Sequence, residues 1–154
     1  MNASQVLSKY HGDQSYPIDL ERIANLNGIN LKYVELPNDV CGEIIVNATQ
    51  APLILINALH PTTHQRFTLA HELGHFFLEH GSRHRKDTNQ SFNLSGNPIE
   101  VQANYFAASL LMPTEFINFA INEVKIYSIS KLAQEFRVSV SAMTYRLKGL
   151  GIIQ

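Results

Sequence analysis

Two histidines and a glutamate near the middle of the chain have the residue types and the spacing of a metal site. The run from Arg66 to His75 contains His-Glu-x-x-His, formed by His71, Glu72 and His75. On a helix the two histidines lie one turn apart on one face, so both imidazoles can reach a single metal ion. The carboxylate of Glu72 then lies beside that ion, where it can take a proton from a bound water. The motif therefore predicts metal-dependent hydrolysis.

The helix that must carry this motif has its own boundary signals. We predict that it begins at Thr62, where Thr62-x-x-Gln65 forms a capping box, and that Gly81 marks its end. Apolar residues cover much of its surface, which predicts a buried position at the centre of the domain. A single histidine on such a helix is more often a hydrogen-bonded core residue. Burial of the Glu72 carboxylate favours a metal, because a cation offsets its charge.

A catalytic zinc site needs a third protein ligand, since such sites use three and leave one position for water. Four acidic or histidine residues follow the motif closely: Glu79, His80, His84 and Asp87. We favour Glu100, because it lies on a separate predicted helix that can cross the motif helix and offer a carboxylate from the open side. Asn104, one turn further on, could hold a metal-bound imidazole by its ring N–H. Asn97-x-x-Glu100 also resembles a capping box, so Glu100 could instead cap its own helix.

The remaining segments predict an α+β fold in a single domain. Helices are expected at Ala3 to Tyr10 and around Ile18 to Leu26, followed by three strands, at Leu31 to Leu36, Gly42 to Asn47 and Leu53 to Asn57. We expect a small, mostly antiparallel sheet packed on the motif helix. Its edge, which we place at Glu43 to Val46, could pair with an extended peptide. The polar stretch from Ser82 to Ser95 is predicted to be a surface loop.

The C-terminal part of the chain predicts a pair of short helices, at Ser130 to Phe136 and Ser139 to Lys148. We therefore divide the chain into a core at residues 1–127 and a helical pair at residues 128–154. The pair resembles a helix-turn-helix, but we expect it to pack on the core and not to form an independent domain. Arg137 occupies the position where such turns favour glycine, and few side chains are available for base edges.

Composition narrows the functional classes further. The chain has 154 residues, of which 45% are hydrophobic and 16% charged, with a formal net charge of −1. Without an overall positive field, direct binding to nucleic acid is disfavoured. A lone cysteine, Cys41, excludes an internal disulfide and favours the cytoplasm. No signal peptide and no apolar run long enough for a membrane span is expected.

Two blocks of sequence resemble the ImmA/IrrE family of zinc-dependent metallopeptidases. They are the run Arg66 to His75 and the run Glu100 to Ala108 with Leu110-Leu111-Met112-Pro113 after it. The resemblance implies a zincin-like α+β fold, Zn²⁺ bound by His71, His75 and Glu100, and Glu72 as the catalytic base. It also implies a protein substrate. We expect an XRE-type repressor or an antitoxin encoded nearby, in a prophage, mobile-element, stress-response or toxin–antitoxin circuit.

Three questions stay open at this point. The donor that stabilises the oxyanion of a tetrahedral intermediate could come from Tyr105, His64 or His80. The helical pair could bind DNA, although its charge argues against this. The protein could also keep its zinc without cutting anything, as a toxin–antitoxin component or a regulatory binding partner.

Overall fold

A computed structural model describes residues 1–13, 15–86 and 97–154. Within these ranges the chain forms helices and strands in the order ααβββαβαααα. The helices are α1 (Ala3–Tyr10), α2 (Leu20–Leu26), α3 (Thr62–Phe77), α4 (Pro98–Leu111), α5 (Thr114–Asn122), α6 (Ile129–Phe136) and α7 (Val140–Gly149). The strands are β1 (Asn30–Val34), β2 (Val40–Ile45), β3 (Leu53–Asn57) and β4 (Arg83–Lys86). The predicted α+β class is confirmed.

The strands form one mixed sheet in the order β1-β3-β2-β4. The hairpin of β2 and β3 is antiparallel, as its short connection predicts, and β4 pairs antiparallel with β2. In contrast, β1 pairs parallel with β3. The predicted edge at Glu43 to Val46 is wrong, because β2 lies between β3 and β4 and its backbone groups are used on both sides. A free edge for a peptide must therefore be sought elsewhere.

The strand β4 corrects another expectation. The stretch from Ser82 to Ser95 was expected to be a surface loop, but Arg83–Lys86 extends the sheet beside β2. Its four residues are polar or charged and show no alternation of apolar side chains, so the sequence carries no strand signal there. Ser82 supports the pairing, because its hydroxyl accepts from the backbone N–H of Val46 and donates to the carbonyl of the same residue. The rest of the expected loop, residues 87–96, lies outside the described residues.

The motif helix α3 begins at Thr62, as predicted, but the predicted capping box is absent. Pro61 occupies the N-cap position, and no side chain caps the helix. The Gln65 amide instead donates to the backbone carbonyl of Asn57 at 3.0 Å, which ties the helix to the end of β3. The helix also ends earlier than Gly81, at Phe77, and the chain then turns through Glu79 at φ 59° and Gly81 at φ 77°.

The buried position of α3 is confirmed. Its residues from Phe67 to Gly74 are all buried, including three polar ones. The sheet covers it on one side, where Gly42 of β2 lies against Thr68. A Cβ atom at Gly42 would come within 2.7 Å of both the Thr68 side chain and the Leu55 carbonyl oxygen. Only glycine lets β2 approach this closely, so this small residue sets the distance between the sheet and the motif helix.

The two C-terminal helices α6 and α7 contribute Leu132, Phe136 and Met143 to the same hydrophobic core as the rest of the chain. Arg146 of α7 donates to the carbonyl of Met112 at 3.0 Å, and Arg66 of α3 donates to the carbonyl of Arg137 at 3.2 Å. Arg137 itself has a left-handed backbone, at φ 54°, which is the conformation that would favour glycine at this turn. The division into residues 1–127 and 128–154 stays a prediction. Among the described residues, no helix is long and apolar enough to span a bilayer.

Candidate metal centre

The candidate site lies where α3 and α4 pack against each other. Gly74 of α3 allows this close packing, because a Cβ atom there would lie 3.1 Å from the Phe106 ring and 3.2 Å from the Ala103 carbonyl oxygen. The start of α4 is specified locally: the Asn97 side chain accepts from the Ile99 N–H at 3.1 Å, and Pro98 follows at the first helical position. The two helices thereby bring residues that are 29 positions apart, His71 and Glu100, into contact.

Three side chains converge at this point. The Nε2 atoms of His71 and His75 lie 3.0 Å apart. The carboxylate of Glu100 reaches both, with Oε2 at 2.9 Å from His71 Nε2 and Oε1 at 3.2 Å from His75 Nε2. Both imidazoles are fully buried, whereas the Glu100 side chain is 17% exposed. The structure thus brings the three predicted ligands together. Glu100 does not act as a cap, because its carboxylate is directed at the histidines.

Asn104, one helical turn after Glu100, contacts His71 on the side of the ring opposite Glu100. Its Oδ1 is 2.7 Å from Nδ1 of His71, inside the protein. An amide oxygen can only accept, so His71 carries its proton on Nδ1 and directs the lone pair of Nε2 towards Glu100 and His75. This hydrogen bond selects the tautomer that a metal ligand needs. Glu72 is also fully buried.

His80 holds His75 in the same way, although the sequence suggested His80 only as a possible metal ligand or oxyanion donor. Nδ1 of His75 lies 2.9 Å from Nδ1 of His80, and Nε2 of His80 lies 3.0 Å from Oε1 of Gln102 on α4. The Gln102 oxygen accepts from Nε2–H of His80, which leaves Nδ1 of His80 to accept from Nδ1–H of His75. Nε2 of His75 then carries a lone pair directed at Glu100. A chain of two hydrogen bonds therefore orients the second imidazole.

Sequence reasoning missed this arrangement because it placed His80 on the same helix, more than a turn beyond His75, from where its side chain would have to reach backward along the axis. In the structure α3 has already ended, and the backbone N–H of His80 donates to the carbonyl of His75 at 2.9 Å. The left-handed turn at Glu79 brings the His80 ring back to His75. Gly81 gave no help here, because as the predicted end of the helix it placed His80 within the last helical turn, whereas α3 ends at Phe77.

The three residues considered as oxyanion donors lie in three different places. Tyr105 is 72% exposed. His64 precedes His71 by two helical turns, about 10 Å along the axis, and its Nε2 contacts Sγ of Cys41. His80 is engaged with His75 and Gln102.

The electrostatics of the site centre on Glu100. Burial raises its pKa, but the neighbouring imidazoles of His71 and His75, which can carry positive charge, outweigh this effect and hold the pKa of Glu100 well below its ordinary value. The carboxylate is therefore ionised. When both imidazoles are neutral and in the ligating tautomer, two lone pairs and this anion meet within 3.2 Å and repel one another unless a cation lies among them.

These observations fit a metal ion. One donor atom from each of His71, His75 and Glu100 lies within 4.8 Å of the others. Two imidazoles with one carboxylate are a donor set that catalytic zinc sites use. The ring planes of the two histidines are 85° apart, which lets both in-plane lone pairs converge on one point.

Comparisons with known proteins show which proteins this chain is similar to. The family of the IrrE N-terminal-like domain (peptidase family M78) matches residues 24–148. The metallopeptidase ImmA of Bacillus subtilis (strain 168) is 35% identical over 104 residues, which are 68% of this chain and 60% of that protein.

A structural comparison supports the fold. A transcriptional regulator of Mycobacterium tuberculosis has a similar fold, with a TM-score of 0.64 and 18% identity over 94% of this chain and 46% of that one. The chain thus spans about half to three fifths of the length of these relatives. The family match, the sequence identity to ImmA and the shared fold show that the chain belongs to the ImmA/IrrE metallopeptidase family.

Proposed function

We propose that this protein is a zinc-dependent metalloendopeptidase that cleaves a DNA-binding repressor or another regulatory protein. The single observation that carries the proposal is the convergence of His71, His75 and Glu100, with both Nε2 atoms within 3.2 Å of the Glu100 carboxylate. Glu72 lies between the two ligands His71 and His75 on the same buried helix. Family membership supports a metallopeptidase chemistry for this arrangement.

In the proposed mechanism His71, His75 and Glu100 hold the zinc, while Asn104 and His80 keep the two imidazoles in the ligating tautomer. Zinc, when bound, supplies a Lewis acid that polarises the peptide carbonyl and makes water acidic near a pH of about 7. Glu72 accepts the proton of the attacking water and delivers it to the leaving amine. Because Glu72 is buried, its carboxylate is shielded from bulk water, which strengthens its interaction with the developing charges.

The substrate class follows from the family. We propose an XRE-type repressor or an antitoxin encoded nearby as the protein substrate, in a prophage, mobile-element, stress-response or toxin–antitoxin circuit. A cytoplasmic location stays a prediction that rests on the lone cysteine, Cys41. Direct DNA binding by α6 and α7 is disfavoured, because the Arg146 side chain donates to the Met112 carbonyl of the core and the chain has a formal net charge of −1.

The test is a cleavage assay on the purified chain with the repressor encoded beside its gene, combined with zinc analysis. We expect Glu72→Gln to abolish cleavage while zinc stays bound, and Glu100→Gln to lose both zinc and cleavage. Glu123→Gln, at an exposed carboxylate after α5, is the matched control and should behave as wild type.

Two outcomes would contradict the proposal. Undiminished cleavage by a zinc-loaded Glu72→Gln variant would exclude this residue as the base. A zinc-loaded wild type that forms a stable complex with the uncut repressor would favour the non-proteolytic alternative, a toxin–antitoxin component or a regulatory binding partner.

A further inference from the structure

A second group of metal-binding residues lies at the N-terminal end of α3, apart from the site described above. It consists of Cys41 on β2, His60 in the turn before α3 and His64 in the first turns of α3. One donor atom from each residue lies within 4.8 Å of the others. We refer to these three residues as the thiol–imidazole cluster. His64 lies two helical turns from His71, about 10 Å along the axis, so one ion cannot serve both groups.

The first pair of donors is already at a distance that a shared ion requires. Sγ of Cys41 lies 3.4 Å from Nε2 of His64. Zinc bonds of about 2.3 Å to sulfur and 2.0 Å to nitrogen, at a tetrahedral angle, place the two ligand atoms about 3.5 Å apart. Cys41 is fully buried and His64 is half-buried, so the pair is shielded from bulk solvent on the sulfur side.

His60 supplies the third donor, and its surroundings select its tautomer. Nε2 of His60 lies 3.0 Å from the backbone carbonyl oxygen of Asn38. The Asn57 amide nitrogen is also near, at 3.3 Å, but its two hydrogens have better acceptors in the carbonyls of Val40 at 2.8 Å and Pro37 at 3.1 Å. His60 therefore donates from Nε2 to Asn38, which leaves a lone pair on Nδ1.

The lone pair on Nδ1 of His60 is a second observation that points to a ligand, independent of the spacing of the three donors. Nδ1 of His60 is buried, and within the described part of the chain it has no hydrogen-bond partner. Leaving a buried acceptor unsatisfied is costly, and native proteins rarely do so. The fully buried Asn57 fixes this turn, because its side-chain oxygen accepts from the Leu59 N–H and its backbone carbonyl accepts from the His60 N–H. The nitrogen is thus held inside the protein by a specific network, beside a thiol and a second imidazole.

The ring orientation determines what must move on binding. The rings of His60 and His64 are stacked, with centroids 4.4 Å apart and 11° between their planes. A metal lies in the plane of each imidazole that binds it, and nearly parallel planes do not meet at a nearby point. His60 is held by Asn38, so the half-buried His64 ring must turn about its Cβ–Cγ bond.

We propose that the thiol–imidazole cluster binds a second metal ion of the kind that prefers sulfur and nitrogen ligands, Zn²⁺ or Cu⁺. One thiolate and two imidazoles suit these ions and do not suit Ca²⁺ or Mg²⁺, which take oxygen ligands. The ion ties β2 to the start of α3. Because the ion binds the folded protein, its binding stabilises that arrangement.

Cobalt is a probe that distinguishes the two sites, because only the second contains sulfur. Titration of the metal-free wild type with Co²⁺ should reach two ions per chain and should produce a sulfur-to-cobalt charge-transfer band in the near ultraviolet. Cys41→Ser should bind one ion and lose that band. His75→Ala should lose the other ion and keep the band. His11→Gln, at a histidine outside both groups, should behave as wild type.

A second measurement is made on the wild-type protein, so its main result does not depend on the folding of a variant. Zn²⁺ should slow alkylation of the Cys41 thiol in the wild-type protein by tenfold or more, and His60→Gln should reduce this protection. A wild type that binds one cobalt ion without a charge-transfer band, or whose thiol reacts equally fast with and without Zn²⁺, would overturn the second site. Either result would leave the proposed peptidase site unaffected. That site is measured separately, by the cobalt ion that gives no charge-transfer band and by the cleavage assay.

Discussion

Nδ1 of His71 lies 2.7 Å from Oδ1 of Asn104 across the packed surface between α3 and α4. This contact joins the motif helix to the helix that carries Glu100, and it fixes which nitrogen of His71 is left for a ligand. Asn104 is almost fully buried, so its amide is held in place by the packing of α4. The ability of this site to bind a metal therefore depends on Asn104, which contacts a ligand, as well as on the ligands themselves.

Loss of the Asn104 acceptor should weaken metal binding. We expect Asn104→Leu to lower zinc affinity about 10- to 100-fold, because His71 is then no longer held in its ligating tautomer. Asn104→Asp keeps an acceptor at the same place and should retain affinity closer to wild type. Competition with a chromogenic chelator measures both variants. Equal affinity in Asn104→Leu and wild type would show that the hydrogen bond has no part in metal binding.

The relay from His75 through His80 to Gln102 should act in the same way on the second imidazole. His80→Ala should lower zinc affinity by about tenfold or more, and Gln102→Leu should have a smaller effect, because it removes only the outer hydrogen bond. Glu79→Gln changes the neighbouring exposed residue of the same turn and serves as the control. If His80→Ala bound zinc as tightly as this control, the relay would be only a packing feature.

Gly74 should be intolerant of a larger side chain. In Gly74→Ala the new methyl group would lie 3.1 Å from the Phe106 ring and 3.2 Å from the Ala103 carbonyl oxygen, and such overpacking costs about 1–3 kcal/mol. Chemical denaturation of the metal-free protein measures the loss. Because the strain separates α3 from α4, zinc affinity should fall as well.

Gly149→Ala is the matched control for Gly74→Ala, since no atom of the described residues lies within 4 Å of a Cβ atom at Gly149. It lies at the end of α7 and should leave stability unchanged or slightly raised. Similar stabilities for the two variants would mean that the packing of α3 on α4 adapts to a methyl group.

Tyr33 should make the stability of the fold fall at alkaline pH. Burial and the hydrogen bond that its hydroxyl donates to Glu21 raise the pKa of Tyr33 from 10.0 to about 12. The folded state thus holds this proton more tightly than the unfolded state. The resulting stabilisation is fully present below pH 10 and is lost as the pH rises from 10 to about 12.

Comparison with Tyr33→Phe isolates this contribution from other groups that titrate at high pH. The ring is 42% exposed, so we expect a difference below about 1 kcal/mol. The two stability curves should converge as the pH rises, and a constant separation between them would contradict the prediction.

Local sequence was sufficient for the elements whose signals are short-range. Asn97 and Pro98 specify the start of α4, and α1 covers the predicted range from Ala3 to Tyr10. The spacing of His71 and His75 predicts their convergence from helical geometry alone. Glu100 could be chosen as the third predicted ligand because a separate helix was the plausible source of a carboxylate.

Tertiary structure decided the features that depend on distant backbone. The polar strand β4 exists because β2 offers it hydrogen bonds, and its presence makes β2 an interior strand. The end of α3 at Phe77 and the turn at Glu79 decide that His80 faces His75. Cys41, His60 and His64 come from a strand, a turn and a helix, and only the close approach of β2 to α3 at Gly42 brings them together. Helical spacing is a property of a few consecutive residues, whereas these contacts depend on how separate elements pack.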